Sequence, residues 1–307
     1  MPSPGTLLLT LSAFCAWGQP MVDYHQHLFH PDDTKLSGDT GTVTAKLLVE
    51  ALDAAGIRRA LVLSLAYQFG NPNRPAVTDE YAKVRAENDW TSEQVGRYPD
   101  RLRGFCGFNP LRDYALQELA RCAQDPRMRH GIKLHFGNSD VDLDNAGHVE
   151  RLRQVFREAD RRRMAIVVHM HTSVTRQRPY GAREARVFLT ELLAAAPHVA
   201  VQIAHLTGAG SYDNATDAAL GVFIDAIAKH DRRMAHVYFD ISGIGQLKES
   251  GERIASRLRE IGLERVLYGS DTTAAHPPRE YWMRFRELPL SDAEFRTIEG
   301  NVTPYMK

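Results

Sequence analysis

The sequence predicts an α/β protein, specifically a single-domain (β/α)8 barrel, and two observations support this fold class. From Pro20 onward, short apolar runs rich in Val, Ile and Leu alternate with longer amphipathic stretches of helical period. This alternation is typical of a parallel sheet with helical crossovers. Eight such units fit within the 307 residues of the chain, and a (β/α)8 barrel usually needs about 250 residues.

The eight predicted strands are the apolar runs themselves. In chain order they are PMVDYHQ (20–26), RRALVLSLA (58–66), RLRGFCGF (101–108), GIKLH (131–135), MAIVVHM (164–170), VAVQIAHL (199–206), AHVYFDISG (235–243) and ERVLYGSD (264–271). Helical patterns such as TAKLLVEALDAAG, in which Gly56 is placed as a C-terminal stop, and GHVERLRQVFREADRRR separate them. No interior linker or composition shift predicts a second domain, so one catalytic barrel is expected over residues 20–307.

The composition of the chain restricts which classes of molecule the protein is expected to bind. The formal net charge is +0 and the pI is about 7.2, and no basic stripe is present of the kind that nucleic-acid binding needs. The densest basic run, Arg161 to Arg163, is interpreted as the solvated end of a helix. The three cysteines form no CxxC pair and predict no disulfide framework. A small-molecule substrate is therefore expected, without nucleic acid, and a homo-oligomer stays open.

The first 18 residues predict a signal peptide. LLLTLSAFCAW (7–17) is apolar, too short to span a bilayer, and is followed by the small-x-small pattern of Ala16, Trp17 and Gly18. The preceding MPSPGT lacks Lys and Arg, so the alternative is an apolar segment packed against the barrel. A cleaved peptide would make the protein periplasmic or secreted, without an integral membrane segment in the mature chain, and otherwise it would be cytoplasmic.

Reactive side chains recur where the predicted strands end, which is the active-site face of a (β/α)8 barrel. They are His25, His27, Asn109, Lys133, His135, His169, His205 and Asp271. Residues two apart on a strand share one face, so His25 and His27 can both point into the barrel. An isolated HxH is weak evidence, but imidazoles and a carboxylate on three further strands make a set that suits zinc or another first-row metal.

The series VDYHQHLF, GIKLHF, VVHMHT, IAHLTG and LYGSD, closed by IEGNVTPYM, resembles the amidohydrolase superfamily. Within it, the chain is similar to amidohydrolase family 2, the metal-dependent TIM-barrel hydrolases, over nearly everything from Pro20 onward. The resemblance implies that His25, His27, His169 and Asp271 ligate the metal and that His205 acts beside it. The ordered set is specific for the superfamily and much less so for the substrate.

Physical roles follow from the residue types. A divalent metal lowers the pKa of bound water and polarises a substrate oxygen. Asp271 is the only carboxylate in the set, so general base is its most economical role. His205 would orient the water or carry a proton to the leaving group, or else be a further ligand or outer-shell histidine. His171 competes with His169, which is favoured because it directly ends the apolar run AIVV.

Lys133 is ambiguous. Some amidohydrolases carry a carboxylated lysine on strand four that bridges two metals, whereas others use this position for substrate. One divalent ion, with zinc as first choice, is favoured, and two follow if Lys133 is carboxylated. Further substrate contacts are predicted in or near the strand-to-helix loops: His135, Asn109, Tyr67, Arg176 and Tyr180. His276 could lean over the metal, since it follows the last strand closely.

Rival chemistry is weakly represented. SGIGQ lacks the context of a dinucleotide fingerprint, and the sequence has no Walker lysine motif, HExxH or GxSxG. The resemblance therefore implies a metal-dependent hydrolase that uses activated water on an amide, a lactone or another carbonyl ester. The alternatives are a non-oxidative decarboxylase of the same family and a catalytically silent metal-binding barrel.

Overall fold

The computed structural model describes residues 18–30, 41–172, 178–244, 249–271 and 277–307. The predicted signal peptide, apart from Gly18, lies outside the described residues, as do Arg176 and His276. No helix among the described residues is long and apolar enough to cross a membrane.

Eight parallel strands form the sheet in chain order, as the sequence predicts. They are β1 (Val22–Gln26), β2 (Arg59–Leu63), β3 (Leu102–Gly107), β4 (Gly131–His135), β5 (Ala165–His169), β6 (Val201–Ile203), β7 (Val237–Asp240) and β8 (Val266–Leu267). The amide of Tyr24 donates to the carbonyl of Tyr268 over 2.8 Å and so connects the end of the sheet to its beginning. The fold is a single-domain (β/α)8 barrel, nearly closed. Every predicted strand is present, β4 with the predicted bounds and the other seven in shortened form.

Helices flank the barrel. Those in the described residues are α1 (Ala45–Ala55), α2 (Glu80–Gly96), α3 (Ala115–Cys122), α4 (Ala146–Arg161), α5 (Ala182–Val187), α6 (Asn214–Ala228), α7 (Gly251–Ile261), α8 (Pro278–Phe285) and α9 (Asp292–Gly300). Gly56 has φ +72° and its amide donates to the carbonyl of Asp53, so the predicted glycine stop of α1 is confirmed. Helix α4 ends at Arg161, which places the basic run at a helix end as predicted.

Alternation along the strands decides what faces the lumen. On β5, Ala165 and Val167 belong to an apolar cluster inside the barrel, whereas Ile166 and Val168 pack in the larger core shared with the helices. The inner cluster also contains Tyr24, Phe105, Tyr305 and other apolar residues. His169 continues the inward series of β5, because side chains two apart share a face. The polar side chains of the lumen therefore lie next to this apolar cluster, on the side where the strands end.

Two of the three cysteines are paired. Cys106 on β3 and Cys122 on α3 form a disulfide with a Cα to Cα distance of 6.3 Å. The sequence analysis did not predict this bond, because a single pair 16 residues apart carries no recognisable spacing. The disulfide ties a strand of the barrel to the helix that follows it.

An ion-pair cluster on α6 and α7 predicts a pH-dependent contribution to stability. Asp217 lies 2.9 Å from Arg257 Nε and 2.8 Å from Arg253, and accepts a hydrogen bond from Tyr212. The hydrogen bonds from Arg257 are the largest cause that holds the pKa of Asp217 below its ordinary value of 3.8. The ion pairs therefore contribute their full stabilisation above the unfolded-state pKa of Asp217, about 3.8, and this contribution is lost as the pH falls through the lower pKa of the folded state.

We expect Asp217→Asn to lower the free energy of unfolding by about 1–2 kcal/mol at pH 7. The difference from the unmodified protein should shrink as pH falls below about 4. Urea unfolding at several pH values measures it, with Asp225→Asn on the exposed side of α6 as the control. A difference that stays constant down to acid pH would show that the ion pairs do not cause it.

Candidate active site

A cavity of about 270 Å³ opens where the strands end at their carboxyl side. Eight of the residues predicted from the sequence line it: His25, His27, Tyr67, Lys133, His135, His169, His205 and Asp271. The loops of a barrel meet at this face, so side chains from β1, β4, β5, β6 and β8 converge although they are distant in the chain.

His25 presents one ring nitrogen to the cavity. Its Nδ1 lies 3.1 Å from Oδ2 of Asp240, a carboxylate that is fully buried. Burial acts to raise the pKa of Asp240, but the contact with His25 outweighs it and the pKa lies below its ordinary value. An ionised carboxylate only accepts, so Nδ1 carries the proton and the lone pair of Nε2 faces the cavity.

His27 is oriented in the same way. Its Nδ1 lies 2.6 Å from the carbonyl oxygen of Leu63, which can only accept. Nε2 therefore keeps its lone pair, and it lies 3.6 Å from Oδ1 of Asp271. Burial lowers the pKa of His27 to about 3, so this imidazole is neutral at pH 7, as a metal ligand must be.

His169 is distinguished by a buried ring nitrogen, Nε2. No hydrogen-bond partner for its Nε2 is found among the described residues, although this atom is buried. The ring stacks on His135 with the centroids 3.9 Å apart, and burial holds the pKa of His169 well below its ordinary value. An orphaned buried nitrogen needs an explanation, and a metal ion would satisfy it.

His205 has an unusual backbone. It has φ +56°, and Leu206 and Thr207 after it also have positive φ, which is uncommon for residues other than glycine. Nδ1 of His205 lies 2.7 Å from the carbonyl of Ser242, so its Nε2 also keeps a lone pair. Burial lowers the pKa of His205 to about 4. The left-handed segment turns this ring back toward the lumen, where it lies 4.8 Å from the ring of His25.

Asp271 completes the cluster after β8. Its amide donates to the carbonyl of His25 over 2.8 Å, and its φ is +49°. Enclosure raises the pKa of its carboxyl, but the surrounding imidazoles and the ammonium of Lys133 together outweigh this and lower the pKa to about 2. The nearby Gly243 has φ +59°, and a Cβ there would lie 3.1 Å from Oδ2 of Asp271. Glycine at this position leaves room for the carboxylate.

Asp240 belongs to the candidate site, and the sequence analysis missed it. It ends β7, so Asp271 is not the only carboxylate at the strand ends, contrary to the expectation from the sequence. Besides His25, it accepts hydrogen bonds from Gln202 Nε2 at 2.5 Å and from the amide of His205 at 3.0 Å. The apolar run VYF followed by Asp was the signal that could have identified it.

Lys133 lies inside the cluster. It is buried, and its Nζ lies 3.2 Å from Nε2 of His25. Burial lowers the pKa of Lys133 to about 8, against the opposing attraction of Asp240 and Asp271. The ammonium therefore faces the same lone pair that a metal bound to His25 would use.

The other predicted contacts divide into three groups. His135 and Tyr67 line the cavity with ring centroids 5.2 Å apart, and His135 Nδ1 accepts from the amide of Asn138. Asn109, the second group, does not line the cavity. Its side-chain amide instead donates to the carbonyl of Gly70 over 2.6 Å, and its Oδ1 accepts a hydrogen bond from the amide of Leu111.

His171 and Tyr180 form the third group. They stack on each other with the ring centroids 3.8 Å apart and do not line the cavity. Arg176, which lies between them in the sequence, is outside the described residues, so its predicted substrate contact stays a prediction.

The family follows from comparison with known proteins. The model of the amidohydrolase family Amidohydro_2 matches residues 22–301, which is most of the chain. The protein therefore belongs to this amidohydrolase family, as the motifs indicate. A comparison with curated protein sequences gives no significant match.

Solved structures share the fold at low sequence identity. 5-Carboxyvanillate decarboxylase LigW from Sphingomonas paucimobilis is 15% identical, with a TM-score of 0.62, over 92% of this chain and 97% of that one. An amidohydrolase from Burkholderia multivorans with bound zinc is 12% identical, with a TM-score of 0.60, over 92% and 96%. The probable 2-pyrone-4,6-dicarboxylic acid hydrolase from Acinetobacter baumannii is 15% identical, with a TM-score of 0.58, over 91% and 96%.

Proposed function

We propose that this protein is a metal-dependent hydrolase that attacks an amide, a lactone or another carbonyl ester with activated water. The observation that carries the proposal is the convergence of imidazole nitrogens on an ionised carboxylate. Nε2 of His25 and Nε2 of His27 lie 4.0 and 3.6 Å from Oδ1 of Asp271, and His169 adds a buried nitrogen that has no hydrogen-bond partner among the described residues. This donor set suits one divalent cation, with zinc as first choice.

A bound divalent cation would supply Lewis-acid activation of water and of the substrate oxygen. The chain's own residues would do the rest. Asp271, with its low pKa, is ionised and can accept the proton of the attacking water. His205, neutral and held by Ser242 through Nδ1, orients the water through Nε2 or relays the proton to the leaving group.

Lys133 limits how the metal can be held. Its Nζ and a cation cannot share the lone pair of His25 Nε2. Metal binding would therefore require the ammonium to turn toward the substrate, or the amine to be carboxylated to an anionic carbamate. In the first case Lys133 would offer a cationic contact to a substrate oxygen beside one ion, and in the second its carbamate would supply ligand oxygens for two ions.

A non-oxidative decarboxylase is the second candidate. The observation that favours it is the buried cation of Lys133 beside the imidazoles, which could hold a carboxylate-bearing substrate. A neighbour of the same fold is a 5-carboxyvanillate decarboxylase, although fold alone does not determine function. A catalytically silent barrel is the third candidate, and the intact set of His25, His27 and Asp271 weighs against it.

Two assays on the metal-loaded protein separate these candidates. Proton release from a panel of lactones, or amine release from a panel of amides, supports hydrolysis, whereas CO2 release from a panel of aromatic acids supports decarboxylation. Asp271→Asn is the companion variant in both assays, and the reaction that it impairs is the one that this cavity catalyses. Metal content by mass spectrometry, with and without bicarbonate in the growth and purification buffers, separates one ion from a carbamate-bridged pair.

The metal-binding role of the HxH motif gives a separate prediction. Loss of a group that orients a ligating histidine costs roughly 10- to 100-fold in metal affinity. Loss of the ligand itself should cost at least as much, so we expect His27→Ala, and likewise His25→Ala, to lower metal affinity by at least this factor and to lower turnover with it. Competition with a chromophoric chelator measures the affinity. His236→Ala, at an exposed histidine, is the control. Unchanged affinity and turnover in both variants would show that the motif is merely a polar loop.

A further inference from the structure

A second cavity lies at the opposite end of the barrel. Its volume is about 420 Å³, and its walls come from the amino ends of the strands: Arg103 on β3, His130 before β4, Ala165 at the start of β5 and Ala200 before β6. The active-site cavity opens at the carboxyl ends of the same parallel strands. The two cavities share no residue.

The ionisable side chains that line this second cavity are basic, apart from the phenol of Tyr305. Four arginines and two histidines line it, and no Asp or Glu is among its lining residues: Arg103, Arg129, Arg162, Arg163, His130 and His198. Carboxylates nearby are already engaged, since Glu158 pairs with Arg161 and Arg162, and Asp160 pairs with His198. The pKa of His130 lies below its ordinary value because of burial and then because of the positive charges of Arg103 and Arg129.

Two of the arginines have no side-chain partner in the part of the chain that the structure describes. Among the described residues, neither Arg129 nor Arg163 has a side-chain hydrogen bond or ion pair, and both side chains are exposed at the cavity. Arg163 follows the end of α4 with φ +61°, at the position where glycine is the usual residue. An arginine in this left-handed conformation is strained, yet it adds a guanidinium to the cavity wall.

We propose that this cavity is a binding site for a small organic or inorganic polyanion, a phosphate-bearing or polycarboxylate molecule. Guanidinium groups bind phosphate and carboxylate oxygens in bidentate fashion, and several arginines around one concave surface suit a ligand with two or more negative charges. The volume suits a small molecule, since ligand pockets typically measure about 300–1,000 Å³. The site is independent of the proposed hydrolase activity.

Arg163→Gly gives a sharp test, because it removes one guanidinium and relieves the strained backbone, so the fold should be as stable as before. Calorimetric titration of the metal-loaded protein with inorganic phosphate and with tricarballylate measures binding and distinguishes the two ligand types. We expect one of these probes to bind at millimolar or lower concentration. The affinity should fall by about tenfold in Arg163→Gly and in Arg129→Ala, the loss expected for one charge-assisted contact.

Arg279→Ala is the matched control, since this exposed arginine lies at the start of α8, on the active-site side of the barrel. It should leave the affinity unchanged. Failure of both probes to bind, or equal affinity in Arg163→Gly and the unmodified protein, would overturn the proposal. Binding that persists in Arg163→Gly but disappears in His27→Ala would assign the anion to the catalytic cavity and overturn it as well.

Discussion

Asp271→Asn is expected to lower turnover by about a hundredfold or more, the scale of losing general acid–base catalysis, while the fold and part of the metal occupancy survive. The amide keeps an oxygen for the metal but loses the basic carboxylate. Asp271 has φ +49°, and asparagine tolerates this left-handed conformation as well as aspartate does. The backbone hydrogen bond to the carbonyl of His25 is also retained, because it uses the amide of residue 271.

The measurement is kcat as a function of pH, together with metal content and thermal stability of the same preparations. His205→Asn is the companion variant, and it should impair turnover with nearly unchanged metal occupancy. If Asp271→Asn kept normal kcat across the pH range with metal bound, Asp271 would not be the base. His205 or Lys133, whose pKa is lowered to about 8, would then have to take that role.

The fold was predictable because its determinants are local. Each strand is an apolar run long enough to be recognised, and stops such as Gly56 are set by backbone chemistry that glycine alone meets easily. Strand ends were less accurate, since β8 spans only Val266–Leu267 where eight residues, 264–271, were expected. The chain leaves the sheet there to bring Asp271 toward His25, which is a tertiary effect.

The cavity-lining residues were also largely predictable, because in a parallel barrel all strands end at one face. His25, His27, His169 and Asp271 are brought together as the strand-end rule implies. Asn109 follows the same rule but turns its side chain to the carbonyl of Gly70 instead. Position along a strand thus restricts where a side chain begins, and local hydrogen bonds decide where it points.

Contacts among distant strands could not be read from the sequence. The left-handed backbone at His205 and Asp271 could not be predicted from residue type, since neither residue is glycine and most His and Asp residues have negative φ. The cationic cavity is likewise assembled from separate strands, and the run from Arg161 to Arg163 alone indicates only a helix end. Asp240 was overlooked because an acidic residue after an apolar run is equally typical of a cap or a turn.

Asp240 provides the second large expected effect. Asp240→Asn should lower metal affinity by about 10- to 100-fold, the usual cost of losing the partner that orients a ligating histidine. His25 Nδ1 donates to Oδ2 of this carboxylate over 3.1 Å. The side-chain amide of Asn has one acceptor oxygen, whereas the carboxylate has two. His25 or another group that donates to Asp240 would therefore meet an NH2 group and lose its hydrogen bond.

A loss of stability alone would not establish this role, because Asp240 is buried and accepts five hydrogen bonds. Asp23→Asn is therefore the matched control. Asp23 is an equally buried strand carboxylate, but its partners are Ser270, the side chain of Gln26 and the amide of His25, not an imidazole. Both variants should unfold more easily, whereas only Asp240→Asn should weaken metal binding per folded molecule. Equal affinities in the two variants would show that Asp240 supports the barrel without orienting His25.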